Sequence, residues 1–198
     1  MELNTKPVFT LRPATKTDAG HISRAVIMAV GEEIALHLAG SPDRLHLVDE
    51  LFTRLAARDD SQYSYRNSII ACTPAGTVAG VIVAYDGAQL HQLRKAFIEE
   101  AAQVLDMHIN EAEMHDETSP DEIYLDSLAV WPEYRGNKLA SQLINAAANM
   151  HSAAGKPLGL LCEPENHRAR RLYVASGFRP VGQRPFAGTM MDHMVLKH

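Results

Sequence analysis

The chain has 198 residues, with 19 Lys and Arg against 24 Asp and Glu, a formal net charge of −5 at pH 7, 46% hydrophobic residues and two cysteines. That length suits one domain around one core, and Cys72 and Cys162, far apart in apolar runs, read as buried reduced thiols rather than a disulfide framework. The negative balance excludes a global basic field of the kind that concentrates a protein on nucleic acid or an anionic membrane, so neither is expected as a partner.

No apolar run approaches the roughly 20 residues of a bilayer-spanning helix, and Met1 to Pro7 lacks the apolar stretch of a signal peptide. The expected location is cytoplasmic. Along the chain, Phe9 to Arg12 alternates and is closed by Pro13, which suits an opening or edge strand. Thr17 or Asp18 can cap a helix that runs toward Leu38 through Ile22, Val26, Ile27 and Val30, and Gly40 ends it. Ser41-Pro42 starts a second helix with Leu45, Val48, Leu51, Phe52 and Leu55 on its apolar face.

Ser68 to Cys72 and Val78 to Tyr85 are β-branched runs around a Pro74-Ala75-Gly76 turn and predict a hairpin. Ala88 to Leu105 returns to helical spacing, and the acidic, irregular Asp106 to Asp121 predicts a mobile loop. Ile123 to Val130 is an apolar strand, Lys138 to Ala154 a helix, Leu158 to Cys162 a strand, and Asn166 to Val174 a short helix ended by Gly177. A last strand is expected at Met191 to Leu196. The interleaving defines an α/β (α+β) class with one mixed central sheet flanked by helices, and Trp131 to Leu161 as a βαβ crossover.

Chemistry concentrates where a strand passes through Arg135-Gly136-Asn137 straight into a helix. Such a junction gathers unpaired backbone amides at the positive end of a helix dipole, a site for a phosphate group. The other phosphate motifs do not fit: Gly155-Lys156 lacks the preceding glycine and following Ser or Thr of a phosphate loop, and no Gly-x-Gly-x-x-Gly occurs. If β alternation is regular, Glu122, Tyr124, Asp126, Leu128 and Val130 share one strand face, which makes Glu122 and Asp126 two candidates for a general base and leaves the choice open. The ten histidines are scattered, and His108 and His115 lack the pairing of a metal site, so no metal is expected.

The run Asp126-Ser127-Leu128-Ala129-Val130-Trp131-Pro132-Glu133-Tyr134-Arg135-Gly136-Asn137-Lys138-Leu139-Ala140, followed by Asn166-His167-Arg168-Ala169-Arg170-Arg171-Leu172-Tyr173-Val174-Ala175-Ser176-Gly177-Phe178, resembles the two signature segments of the GNAT superfamily of N-acetyltransferases. The start Leu11-Arg12-Pro13-Ala14 is similar to how these domains begin, and the resemblance spans nearly all of residues 1 to 198. It implies a single acetyltransferase-like domain with splayed central parallel strands and a helix-loop insertion at about 88 to 120.

By the same resemblance, the co-substrate is acetyl-CoA. Leu128, Ala129 and Val130 would meet the pantetheine arm, while Arg135, Gly136, Asn137, Lys138, Leu139, Ala140 and Ser141 would hold the pyrophosphate. Asn166 and Arg170 would touch the coenzyme, and Tyr173 would both contact it and protonate the departing thiolate. Lys138 stands where the family usually has glycine; it either adds a cation beside the phosphates or obstructs them. The acceptor would be a small-molecule or peptide amine, attacked directly in a ternary complex by a monomer or homodimer. Candidates for its pocket are Glu32, Glu33, His37, Tyr63, Tyr65, Tyr85 and the acidic segment, which is expected to cover it. The alternative is a non-catalytic CoA-binding regulatory module.

Overall fold

The structure, a computed structural model, describes residues 8–196; the Met1 to Pro7 segment lies outside them. Seven strands form one sheet: β1 (Thr10–Pro13), β2 (Ser68–Cys72), β3 (Val78–Asp86), β4 (Ile123–Val130), β5 (Leu158–Cys162), β6 (Arg179–Phe186) and β7 (Thr189–Leu196), in the order β1-β2-β3-β4-β5-β7-β6. All neighbours are antiparallel except β4 and β5, whose parallel connection runs through α4 (Leu139–Met150), the expected βαβ crossover. Helices α1 (Ala19–Ala39), α2 (Leu45–Ala57) and α3 (Leu90–Leu105) precede β4, and α5 (His167–Ala175) follows β5.

The alternation of β2 explains the two-sided core. Ile70 and Cys72 pack with Ile22, Val26, Leu51 and Phe52 of α1 and α2, whereas Ile69 and Ala71 pack with Leu139, Leu143 and Ile144 of α4. With helices on both faces, the central strands read as continuous apolar runs rather than as alternating ones. Both cysteines are free and buried. Among the described residues, no helix is long and apolar enough to cross a membrane.

Three local features depart from the sequence expectations. First, α1 is not continuous: Gly31, at φ 84° and ψ 167°, interrupts it, a conformation that glycine adopts without a Cβ clash. Second, β6 escapes pattern reading because it carries Pro180, Gly182 and Pro185 and is exposed along most of its length; as an outermost strand it has one edge free of ladder bonds, where proline is tolerated. It forms a hairpin with β7 around Ala187 (φ 47°) and Gly188 (φ 79°), the two positive φ values that suit the strand twist.

The third departure is the acidic segment. Glu117 and Thr118 are buried, and Glu117 accepts hydrogen bonds from Gln62 (2.8 Å), Tyr85 (3.2 Å) and the buried guanidinium of Arg94 (2.5 Å). Arg94 also reaches Asp116 at 3.1 Å. A buried ion pair of this kind holds its segment in place, because leaving either charge unpaired in the interior is costly. The segment is thus pinned to α3.

Candidate active site

The geometry of the site comes from two irregularities in β4. Its ladder with β5 consists of Ile123↔Leu158 and Tyr124↔Gly159 only, after which β4 continues alone to Val130 and the sheet opens into a wedge. On its other side, Val83 pairs with Ser127 and Ala84 with Leu125, so Asp126 has no partner and forms a bulge. The bulge reverses the phase of the strand. Ile123 and Leu125 face the α4 side before it, while after it Leu128 and Val130 pack against that side and Ala129 faces α1 and α2.

This overturns the expected single face from Glu122 to Val130. Glu122 does not reach the wedge: its carboxylate is held by His193 Nε2 (2.8 Å), Thr118 Oγ1 (2.8 Å) and the Ser119 amide (3.1 Å). A β-carbon at Gly159 would collide with it. Despite burial, the His193 and Thr118 hydrogen bonds leave Glu122 below the usual carboxylate range. Asp126 is in the opposite state. Burial pushes its pKa up to about 7, with the charge of Glu117 adding to the rise and the Ser127 hydroxyl, at 2.8 Å, opposing it.

Two cavities meet in the wedge. A groove of about 480 Å³ is lined by Leu128, Ala129, Val130, Arg135, Gly136, Lys138, Leu139, Ala140, Ser141, Asn166, Arg168 and Tyr173, with Met28, Tyr134, Ala169 and Leu172 completing it. A second cleft of about 440 Å³ is bounded by the Met28 to Ile34 segment of α1, Tyr63, Tyr124, Asp126, Leu161, Glu163, Phe186 and Met191. Met28, Leu128, Asn166, Ala169 and Tyr173 line both. Tyr173 stands at the junction, edge-on to Phe178 at 5.8 Å between centroids, and burial pushes its hydroxyl up to about 12.

The groove fits a phosphate-bearing ligand. The amides of the first turn of α4 lack intrahelical acceptors, no side chain caps them, and Lys138 to Ser141 of that turn line the groove. Arg135, Lys138 and Arg168 line it and, among the described residues, no carboxylate does. Gly136 (φ 82°) and Lys138 (φ 57°, ψ 20°) both turn left-handed to bring the chain into α4. That conformation explains why glycine suits position 138: a side chain there costs roughly 1–2 kcal/mol, of which glycine's greater unfolded entropy returns about 0.5–1 kcal/mol. Lys138→Gly is therefore expected to raise unfolding stability by about 0.5–1 kcal/mol, read as a shifted urea midpoint at unchanged slope.

Not every expected coenzyme residue lines the groove. The Asn137 side chain instead donates to the Tyr134 carbonyl at 3.0 Å and shapes the loop. Arg170 lies near Asp192 at 3.7 Å, and Arg168 occupies the groove wall in its place. Asn166 lines both cavities while its side-chain oxygen caps α5 through the Ala169 amide at 3.0 Å. Of the candidate acceptor residues, Glu32, Glu33 and Tyr63 line the second cleft; His37, Tyr65, Tyr85 and residues 106–121 do not. Phe186, at the end of β6, and Met191, on β7, also line this cleft without being among the sequence candidates: β6 carries no readable pattern, and the expected last strand gives no sign that its first residue faces the cleft.

A mixed sheet thus splits between two parallel strands, with an uncapped helix terminus at the split and the half-buried Tyr173 lining both cavities. The family model for the acetyltransferase (GNAT) family matches residues 41–178, and the chain belongs to that family. A solved acetyltransferase structure superimposes with a TM-score of 0.71 at 27% identity, covering 95% of this chain and 98% of its own. An N-acetyltransferase from Staphylococcus aureus Mu50 does so with a TM-score of 0.76 at 22% identity, covering 94% of this chain and 100% of its own. Among curated proteins no sequence match is found.

Proposed function

We propose that this protein is an N-acetyltransferase that passes an acetyl group from acetyl-CoA to a primary amine by direct attack within a ternary complex. The observation that carries the proposal is the meeting of two cavities of opposite character at Tyr173, with Asp126 in one and the helix terminus of α4 in the other. The amides of the 136–141 turn would bind the pyrophosphate, Arg135, Lys138 and Arg168 would offset phosphate charge, and the unpaired edge of β4 from Leu128 to Val130 would hydrogen-bond the pantetheine. Acetyl-CoA supplies the reactive thioester.

Asp126 is the base of choice over Glu122, because it lines the acceptor cleft and its pKa near 7 suits proton uptake at neutral pH. It takes the amine proton, the N–C bond forms, the C–S bond breaks, and the Tyr173 hydroxyl gives its proton to the leaving sulfur. Residues 88–120, read as an insertion, would act as a strut beneath the cleft through Arg94 and Glu117 rather than as its cover.

The test is thiol release from acetyl-CoA with a panel of primary amines, alongside thermal stabilisation by CoA alone. Amine-dependent release is expected. Stabilisation by CoA with no release across the panel would instead leave a coenzyme-binding module.

A further inference from the structure

The charges around Tyr173 are segregated, and the segregation bears on the acceptor. On the groove side, the charged lining residues are Arg135, Lys138 and Arg168. On the cleft side, they are Glu32, Glu33, Asp126 and Glu163, with no Lys, Arg or His among the described residues that line it. None of these four carboxylates makes a salt bridge to a described residue, although nearby Glu165 and Asp192 lie 3.9 Å from His167 and 3.7 Å from Arg170. The cleft thus concentrates carboxylates that the fold leaves unneutralised.

Their placement follows from the backbone. The bulge at Asp126 sets one half-buried carboxylate in the cleft that Tyr173 also lines, the exposed Glu32 and Glu33 enter its lining directly after the break at Gly31, and the exposed Glu163 joins them from just past the end of β5. Tyr63, Tyr124 and Leu161 supply apolar wall. A single amine can engage only one end of this arrangement: it must be deprotonated beside Asp126 to react, and the outer carboxylates would then face no cation.

We infer that the acceptor carries two amino groups joined by an apolar spacer, one reacting beside Asp126 and the other held, still protonated, by Glu32, Glu33 and Glu163. The inference rests on the acetyltransferase reading and assigns the substrate class of the same site. Like-charged carboxylates without protein partners form a field that favours a cation over a neutral group of equal size, and the spacer accounts for the aromatic and aliphatic wall.

The test compares diaminobutane, aminobutanol and butylamine as acceptors. At low ionic strength kcat/KM for diaminobutane is expected to exceed that for either monoamine by about tenfold or more, and the advantage should shrink with added salt, because Glu32, Glu33 and Glu163 are exposed. The E32Q/E33Q variant should raise KM for diaminobutane by about tenfold and collapse the ratio, with CoA-induced stabilisation reporting an intact fold. Turnover of aminobutanol equal to that of diaminobutane in the unaltered protein would overturn the inference while leaving acetyl transfer standing. Absence of turnover with every amine, despite CoA binding, would overturn the acetyltransferase reading and this inference with it.

Discussion

Tyr173→Phe is expected to lower kcat by about two to four orders of magnitude, with the larger part of the loss in kcat rather than in KM. The substitution removes one oxygen and keeps the ring, so the edge-on packing with Phe178 at 5.8 Å survives. What is lost is the hydroxyl at the junction of the two cavities. With its pKa pushed up to about 12 by burial, that hydroxyl stays protonated through the neutral and mildly alkaline range. It can therefore hydrogen-bond the sulfur as charge builds and release its proton as the C–S bond breaks. Single-turnover thiol release checks this; a variant within a factor of about three of the wild type would remove Tyr173 from the reaction and leave it a packing residue.

The second large effect is expected at Asp126. Asp126→Asn should lower kcat/KM by about two orders of magnitude at neutral pH, and it should remove an inflection near pH 7 at which wild-type activity rises as the carboxylate loses its proton. Stability should move the other way. In the folded protein Asp126 holds its proton up to about pH 7, against an ordinary value of 3.8, so between those values the native state binds a proton that the unfolded state has released. Stability consequently falls as pH rises through that window, by at most about 4 kcal/mol. Asn, which never ionises, escapes the loss. The melting temperature of Asp126→Asn should thus exceed that of wild type above neutrality and converge with it below about pH 4. A pH series of thermal melts with kinetics on the same samples checks both signs; a flat difference would place the proton elsewhere.

The groove was legible in part from local chemistry and in part from the family resemblance. A strand, Arg135-Gly136-Asn137 and an immediate helix predict an amide-lined anion site, and of the coenzyme residues that the family resemblance implies, eleven, from Leu128 to Tyr173, line the groove. Asn137 and Arg170 do not: the Asn137 side chain turns back to the Tyr134 carbonyl within its own loop, and Arg170 lies near Asp192 on β7, a long-range neighbour that no linear pattern encodes. The second cleft was legible only in part. Glu32 and Glu33 stood out as acids, but their position depends on a break at Gly31 that helical periodicity passes over. An isolated glycine inside an otherwise good helix was the available signal.

Choosing between Glu122 and Asp126 shows where sequence stops. Four residues apart on a strand, they share a face only while pairing is regular, and one unmatched residue, set by the register of β3 against β4, separates them. Long-range partners did the rest: His193, 71 positions away, holds Glu122 in its charged form, and Glu117 raises Asp126.

By itself the sequence determined the class, the order of the elements other than β6, the crossover and the loop that opens α4, because these depend on periodicity, turn chemistry and helix termini, all short-range. Tertiary structure alone decided which carboxylate lines the second cleft, that the acidic 106–121 segment is anchored through Glu117, and that Phe186 of the outer β6 lines that cleft. The net charge of −5 conceals both outcomes: it is a sum over residues, whereas the division into a cationic groove and an anionic cleft is set by how β4 bulges and α1 breaks.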